Sequence, residues 1–571
     1  MKHISLNILL LAFASLLFSA CNKDLLDQNN PDAITSIDLW KDPKLIGLYL
    51  NTIYGDRPGW NYNFYDNIAD DSRSNWTGNE PNNHIYDQWV DGDVGGYTAY
   101  WKYEEVVRIN DFLANIDAAQ MDEATKTRYK GEARFMRAFL YFEMVQRYGG
   151  VPLITKVQHI TDDLSVPRNS LNECFRFIIA ELDQAATELS PDAPRGRVGK
   201  GAAMALKGRV ALYWASPQYF TTDDNALFKD PETINSNTQG AGAAERWKAA
   251  ADASQAVMML EKYDLNPDLK ALWLDKSANN KEPIFEVQYK KGFKSHGLDA
   301  LVKPPYLGAG DGGQRFPLQE LVDAFPMKNG RLIGEPGSGY VAGDPYAGRD
   351  DRFYAAIGYN GAKAWGNKGG ALTQITLETF EGGRDYGNMD AGNTLTGYYT
   401  LKALDTQNIN YSYRAGSDQP WLEIRYAEVL LNYAEAANEY MAAPDQSVYD
   451  AVNKVRTRAG ITPELTMGSL SKDQMRDLIR NERYVEFCLV EQKRYWDLKR
   501  WGIAYEKLNN VKYHSVYITK TGNTYTYDYP ERDPRPLKFD KRMYWFPIPG
   551  SELTKNLKLT QNQGWPLPPG R

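Results

Sequence analysis

Of the 46 glycines in this 571-residue chain, 21 lie between residues 295 and 400. A glycine costs a helix interior about 1 kcal/mol relative to alanine, so that density excludes a helical interior there. On both sides the pattern inverts. Trp101 to Ile116 places Trp101, Val106, Ile109 and Leu113 at helical spacing. Glu132 to Tyr148 carries two adjoining stripes, Met136, Leu140 and Met144 beside Phe135, Phe139 and Phe142. A helix apolar on two stripes is packed from two sides. Gly149-Gly150 ends it, and Pro152 stops it resuming. Ser170-Leu171-Asn172-Glu173 is a capping box that opens a helix to about Leu189. Gly199 to Tyr213 and Arg246 to Leu260 follow as helices. Downstream the spacing predicts helices over Trp421 to Met441, Val448 to Ala459 and Asp473 to Trp501, the last capped by Ser471-Lys472-Asp473-Gln474.

Consecutive antiparallel helices with short links resemble tetratricopeptide-type pairs, although the 34-residue period is only approximate and its signature residues are not crisp. The expectation is a mainly α chain, with a helical scaffold over roughly 101–275 and 421–505. Short alternating pieces, Pro283 to Tyr289 and Leu372 to Phe380, read as strands. Residues 55–98 and 295–400 are expected to present ligand, because loops on a rigid scaffold commonly carry binding.

The chain opens with Lys2, an apolar run from Ile4 to Phe18, and Ser19-Ala20-Cys21. A basic start, an apolar stretch and a small-residue cleavage site make a secretory signal, and a cysteine just after the small pair is the position bacterial lipoproteins acylate. Residues 1–20 therefore read as a signal and Cys21 as the lipidation site. Residues 21–30, polar and acidic, read as a flexible tether, with 31–571 as one domain. Several acyl chains on one cysteine hold firmly where a single chain is marginal.

A net charge of -7 and a pI near 5.6 argue against nucleic acid as the main partner. Apart from Cys21, Cys174 and Cys488 sit in apolar, helix-like stretches, which suits buried free thiols; their spacing gives no support to a disulfide. His3, His84, His159, His296 and His514 are scattered singly, so no zinc site is expected. Gly308 to Gly313 lacks the strand and helix that a phosphate cradle needs. Asn388 to Asn393 could coordinate calcium but departs from the EF-hand pattern, and no cofactor is expected.

Of the chain's 14 Trp and 38 Tyr many must lie in the core, and a large solvent-facing remainder is expected. Flat rings with polar handles suit sugars, and peptides nearly as well. Candidate ligand contacts are therefore polar-plus-aromatic loop clusters. Asp71 and Arg73 precede Trp76 and Trp89; Tyr306, Phe316, Trp365, Arg384 and Tyr398 lie in the glycine-rich stretch. Glu482, Arg483, Glu486, Arg494 and Asp497 sit at helical spacing and read instead as an ion-pair network locking two helices. Arg134 and Arg137 read the same way, and Trp101, Trp496 and Trp501 as core anchors.

Several blocks carry a resemblance. They are Glu132-Ala133-Arg134-Phe135-Met136-Arg137-Ala138-Phe139 running to Tyr148-Gly149-Gly150-Val151-Pro152-Leu153; Trp421 to Leu431 with Ala434-Glu435-Ala436; Asn453 to Gly460; Asn481-Glu482-Arg483 through Arg494 to Trp501; and Phe546-Pro547-Ile548-Pro549 with Gln561 to Gly564. In this order, behind a lipoprotein signal, they resemble the SusD/RagB family of Bacteroidetes surface lipoproteins. Gln492 stands where the family often shows glycine, and Asp351 where it often shows proline. The resemblance implies a SusD-like fold of four tetratricopeptide-like helix pairs supporting a loop-rich, partly β ligand-binding part. It implies an outer-membrane lipoprotein facing outward that binds oligosaccharide, without catalysis, as a lid on a SusC-like TonB-dependent transporter. A peptide-binding RagB-like role and a surface glycosidase are the alternatives.

Overall fold

The computed structural model describes residues 39–55, 59–60, 65–74, 100–159, 161–236, 242–308, 314–387, 392–412 and 415–570. The signal, the tether, Cys21, Trp76 and Trp89 lie outside the described residues, as does most of Asn388 to Asn393.

The longer helices are α1 (Pro43–Gly55), α2 (Tyr103–Asn115), α3 (Glu123–Tyr148), α4 (Leu171–Glu188), α5 (Lys200–Ala215), α6 (Ala243–Met258), α7 (Tyr426–Tyr440), α8 (Gln446–Arg458), α9 (Lys472–Glu486) and α10 (Arg494–Arg500). Each of α3 to α7 packs on the next, and α7 also packs on α8 and α9. The α6–α7 contact closes the scaffold across the whole glycine-rich stretch, and the protein has the mainly α architecture expected of it. Both capping boxes form, Ser170 with Glu173 and Ser471 with Gln474. Helix α3 starts earlier than its stripes suggest, because Asp122 caps a polar first turn by accepting from the Thr125 N–H. It ends at Gly149, whose φ of 78° is left-handed, while a Cβ on Gly150 would stand 2.1 Å from the Asn169 carbonyl oxygen. Only glycine fits that pair.

The described strands form five separate antiparallel ribbons. They pair β1 (Ser72–Arg73) with β3 (Phe316–Pro317), β2 (Pro283–Val287) with β8 (Trp421–Arg425), β4 (Ile357–Gly358) with β7 (Tyr399–Thr400), β5 (Lys363–Lys368) with β6 (Ala371–Thr376), and β9 (Tyr517–Thr521) with β10 (Thr524–Asp528). Two helix boundaries need correction. Trp421 to Arg425 is strand, buried at every position, and a residue run buried all round carries no period to tell strand from helix. Asp473 to Trp501 is broken between α9 and α10 by left-handed residues at Leu489 (φ 60°) and Gln492 (φ 57°). The position where the family often shows glycine is therefore one where glycine would be unstrained.

The expected ion-pair network is present and larger than two helices. The Arg425 guanidinium pairs with Glu282 at 2.6 Å, Glu486 at 2.7 Å and Glu491 at 2.8 Å. Glu486 also takes Arg458 and Arg352, and Arg352 goes on to Asp350 at 2.7 Å and Glu482 at 2.8 Å. A second cluster joins Arg483, Asp497, Arg500 and Glu435. Burial opposes ionisation of Glu486, but Arg458, Arg425 and Arg352 outweigh it and hold its carboxyl below the usual range. Arg134 and Arg137 both reach Glu181, tying α3 to α4. Trp496 and Trp501 are buried, and Trp101 packs half-buried on the main core. Cys174 and Cys488 are free and buried, and burial pushes both thiols up to about 12.

Candidate functional site

The expected ligand residues separate into groups. Asp71 and Arg73 are corrected to scaffold. Arg73 is 2% exposed; its Nε donates to Asp533 Oδ1 at 3.0 Å and its Nη1 to the Ala69 and Ser72 carbonyls. The Leu489 N–H donates to Asp71 Oδ2 at 3.2 Å, and Asp70 pairs with Arg494 at 2.8 Å. This segment is a staple to the C-terminal part, and it takes Arg494 away from the helix pair. Phe316 and Tyr398 are also corrected. Phe316 packs edge-on against Tyr399, and the Tyr398 hydroxyl donates to Gln319 Oε1 at 2.7 Å; both rings are fully enclosed. Trp365 is half-buried on the hairpin β5–β6. Tyr306 is exposed and comes together with Arg384, whose guanidinium lies 4.5 Å from the ring centre.

A cleft of about 420 Å³ opens between the glycine-rich stretch and the hairpin β9–β10. Six rings line it: Tyr346, Tyr354, Tyr359, Phe380, Tyr525 and Tyr527. Asp344, Asn360, Glu378 and Lys520 add polar groups. Strand alternation puts Tyr525 and Tyr527 on one face of β10, both half-buried. The Tyr346 side is set by a loop whose base closes at the Met327–Arg349 bridge. Arg349, 1% exposed, donates to the carbonyls of Pro345, Phe325 and Val322. The Tyr354 hydroxyl donates to the Tyr346 carbonyl at 2.7 Å.

The rings brace one another. Tyr346 lies 4.6 Å from Tyr359 and stands perpendicular to Tyr527 at 5.7 Å. Tyr359 stacks on Phe353 at 5.3 Å, and Phe380 meets Tyr525 at 5.8 Å. Burial pushes the Tyr359 and Tyr527 phenols up, so both stay neutral donors around pH 7. Preset ring faces and edges, neutral hydroxyls and two carboxylates match the alternating C–H and hydroxyl surface of a sugar.

None of these six rings was singled out from the sequence. Tyr525 and Tyr527 lie far downstream of the glycine-rich stretch. The alternation Thr524-Tyr525-Thr526-Tyr527 is the signal that marks a strand with rings on one face. A second cleft, about 600 Å³, lies between the far side of the same loop and helices α8 and α9. It is lined by Arg331, Leu332, Glu335, Leu465, Leu470 and Asp477 among others, with no ring among the described residues that line it. No group of three metal-ligating side chains occurs among the described residues.

A family model described as "Starch-binding associating with outer membrane" matches residues 24–212, and one described as "SusD family" matches residues 281–565. The chain is 26% identical over 487 residues to SusD-like protein P2 of Formosa agariphila, covering 82% of this chain and 81% of that one. A solved SusD-like protein from Bacteroides fragilis superposes with a TM-score of 0.76 at 29% identity, over 93% of this chain and 99% of that one. A SusD-like carbohydrate binding protein from the same organism shares the fold, with a TM-score of 0.72 at 24% identity over 91% of this chain and 100% of that one. Two family models in succession, and a superposition over almost the whole length on a solved SusD-like protein, establish that the chain belongs to the SusD/RagB family.

Proposed function

We propose that this protein binds oligosaccharide at the cell surface without chemically altering it, and passes it to a SusC-like TonB-dependent transporter over which it acts as a lid. The tyrosine-lined cleft carries the reading: six preset rings, five of them bearing a hydroxyl, make a sugar platform on a rigid mount. The description of the N-terminal family model and the carbohydrate-binding neighbour support the ligand class. Acylation at Cys21 would fix the protein to the outer membrane, facing outward.

The mechanism is capture and gating. Ligand that touches both lid and barrel favours the closed state by its differential affinity for it. A tether beside the pore raises the effective concentration of captured ligand there.

The test is calorimetry of the full mature chain against a panel of oligosaccharides, with the double variant Tyr359→Ala and Tyr527→Ala. Binding by the wild type and its loss in the variant, at a retained melting temperature, supports the proposal. Equal affinity in both moves the site elsewhere. Asp344 and Glu378 both face the cleft, so the glycosidase alternative is checked by assaying for new reducing ends; turnover would end the binding-only reading. The peptide-binding alternative has the ring-free cleft in its favour. Peptide binding that survives loss of both tyrosines would establish it.

A further inference from the structure

Lys520 lines the tyrosine-lined cleft, and three further cations, Lys363, Lys368 and Arg384, connect to it through Thr376 and Tyr306. Lys520 holds its Nζ 4.8 Å from the centre of the Phe380 ring and 5.9 Å from that of Tyr525. Thr376, another lining residue, is a hub. Its hydroxyl accepts from Lys363 Nζ at 2.5 Å, and its carbonyl accepts from Arg384 Nη2 at 2.7 Å. Arg384 lies over Tyr306, and Lys368 sets its Nζ 3.7 Å from the centre of the same ring. Phe380 and Thr376 both line the cleft.

The carboxylates nearby do not balance this charge. Asp385 is fully buried and committed to Arg384 at 2.6 Å. Glu378 lines the cleft close enough to act on Arg384. Asp344 acts at the other end, on Tyr359 and Tyr527. Among the described residues no carboxylate stands within ion-pair distance of Lys363, Lys368 or Lys520, in a chain whose net charge is -7. All three lysines are exposed. Ammonium groups held over rings and a hydroxyl, with no carboxylate partner among the described residues, offer a counter-ion position for a ligand.

We propose that the Lys520 end of the cleft binds the anionic substituent, a carboxylate or a sulfate ester, of an acidic oligosaccharide. The inference rests on the glycan-binding reading above and names the ligand class for that same site. Rings take the sugar faces, Asp344 accepts from hydroxyls at the far end, and the lysine end takes the charge. Screening over about 8 Å at physiological salt makes this contribution salt-sensitive while ring stacking is not.

The test measures affinities of the full mature chain for polygalacturonate oligomers, a sulfated galactan, its desulfated form and a neutral glucan, at 50 and 300 mM salt. The double variant Lys363→Gln and Lys368→Gln, both outside the lining of the cleft, is measured alongside. Wild-type binding to an acidic glycan is expected to weaken at least tenfold in the variant and severalfold at high salt, with neutral binding unchanged. Preference for polygalacturonate assigns the anion as carboxylate, and loss on desulfation assigns it as sulfate. Binding to neutral glycans alone, or acidic affinity within twofold of wild type in the variant, overturns the inference and leaves the glycan-binding reading standing. Binding to none of the four overturns both. The lysines are exposed, so the melting temperature should be unchanged, and a neutral glycan bound equally by both proteins confirms an intact site.

Discussion

The ion-pair network and the tyrosine-lined cleft use similar residues to opposite ends. In the network the guanidiniums pair with carboxylates inside the protein: Arg425 meets three and Arg352 three. In the cleft the lysines rest on rings and a hydroxyl, with no carboxylate partner among the described residues. The rings differ in the same way. Trp496, Trp501 and Tyr398 are enclosed, whereas Tyr359, Tyr525 and Tyr527 pack on one side and leave the other to solvent. Type of residue does not separate structure from function here. Whether its bonding capacity is already used does.

The sharpest way to break the comparison is Arg425→Ala. It removes the one guanidinium that pairs with all three of Glu282, Glu486 and Glu491, and removing one member of a buried pair costs about 3–5 kcal/mol. A large fall in the urea midpoint is expected; an unchanged midpoint would mean the network is not saturated as described. Next comes acid. The neutral His296 ring donates from Nε2 to the Gln419 carbonyl at 3.0 Å and accepts at Nδ1 from the Leu298 N–H. A second proton has no place, and burial above all lowers its pKa to about 4. The unfolded chain takes up that proton below about pH 6.5 while the native chain does not. Stability is therefore full above about pH 6.5 and falls as the pH drops to about 4, by up to about 3 kcal/mol. The variant His296→Gln should flatten that part of a stability-versus-pH curve, and an unchanged slope would assign it to other groups.

In the cleft, Tyr527→Ala should weaken glycan binding by about 1–3 kcal/mol, by analogy with base stacking, and the measurement is calorimetric. Its effect on melting should be far below that of Arg425→Ala; a comparable loss would erase the distinction drawn between the regions. The smallest effect belongs to Gln492→Gly. It relieves a left-handed side chain, worth about 1 kcal/mol, and removes the long contact from the Tyr65 N–H to Gln492 Oε1 at 3.4 Å. A slight rise in melting temperature is expected, and a fall would show that the glutamine amide matters more than the backbone angle.

Much of the scaffold was legible because its signals are local. The stripes of α3 and the capping boxes at Ser170 and Ser471 span a few residues each, and the helices follow. The break at Gln492 was not legible, since nothing in a glutamine announces a left-handed backbone. Nor was the strand at Trp421, whose residues are buried on both faces. The candidate site was harder still. Arg73 looked like a ligand residue until Asp533 appeared beside it, and Phe316 and Tyr398 have the same composition as exposed rings. The cleft itself is assembled from Tyr346, Tyr359 and Tyr527, which only the tertiary fold brings together.

The five ribbons have a consequence for the order in which the molecule can form. Strand Pro283–Val287 has its partner only once residues 421–425 have been made, and Arg73 waits for Asp533. Helices α3 to α6 can associate as soon as they emerge, but the binding half is sewn shut only by the last segment of the chain. A polypeptide ending at residue 530 would keep all ten long helices and both strands of the β9–β10 hairpin. It would still leave the Arg73 guanidinium in the interior without its carboxylate, so the last segment of the chain is needed to neutralise a charge buried near its start.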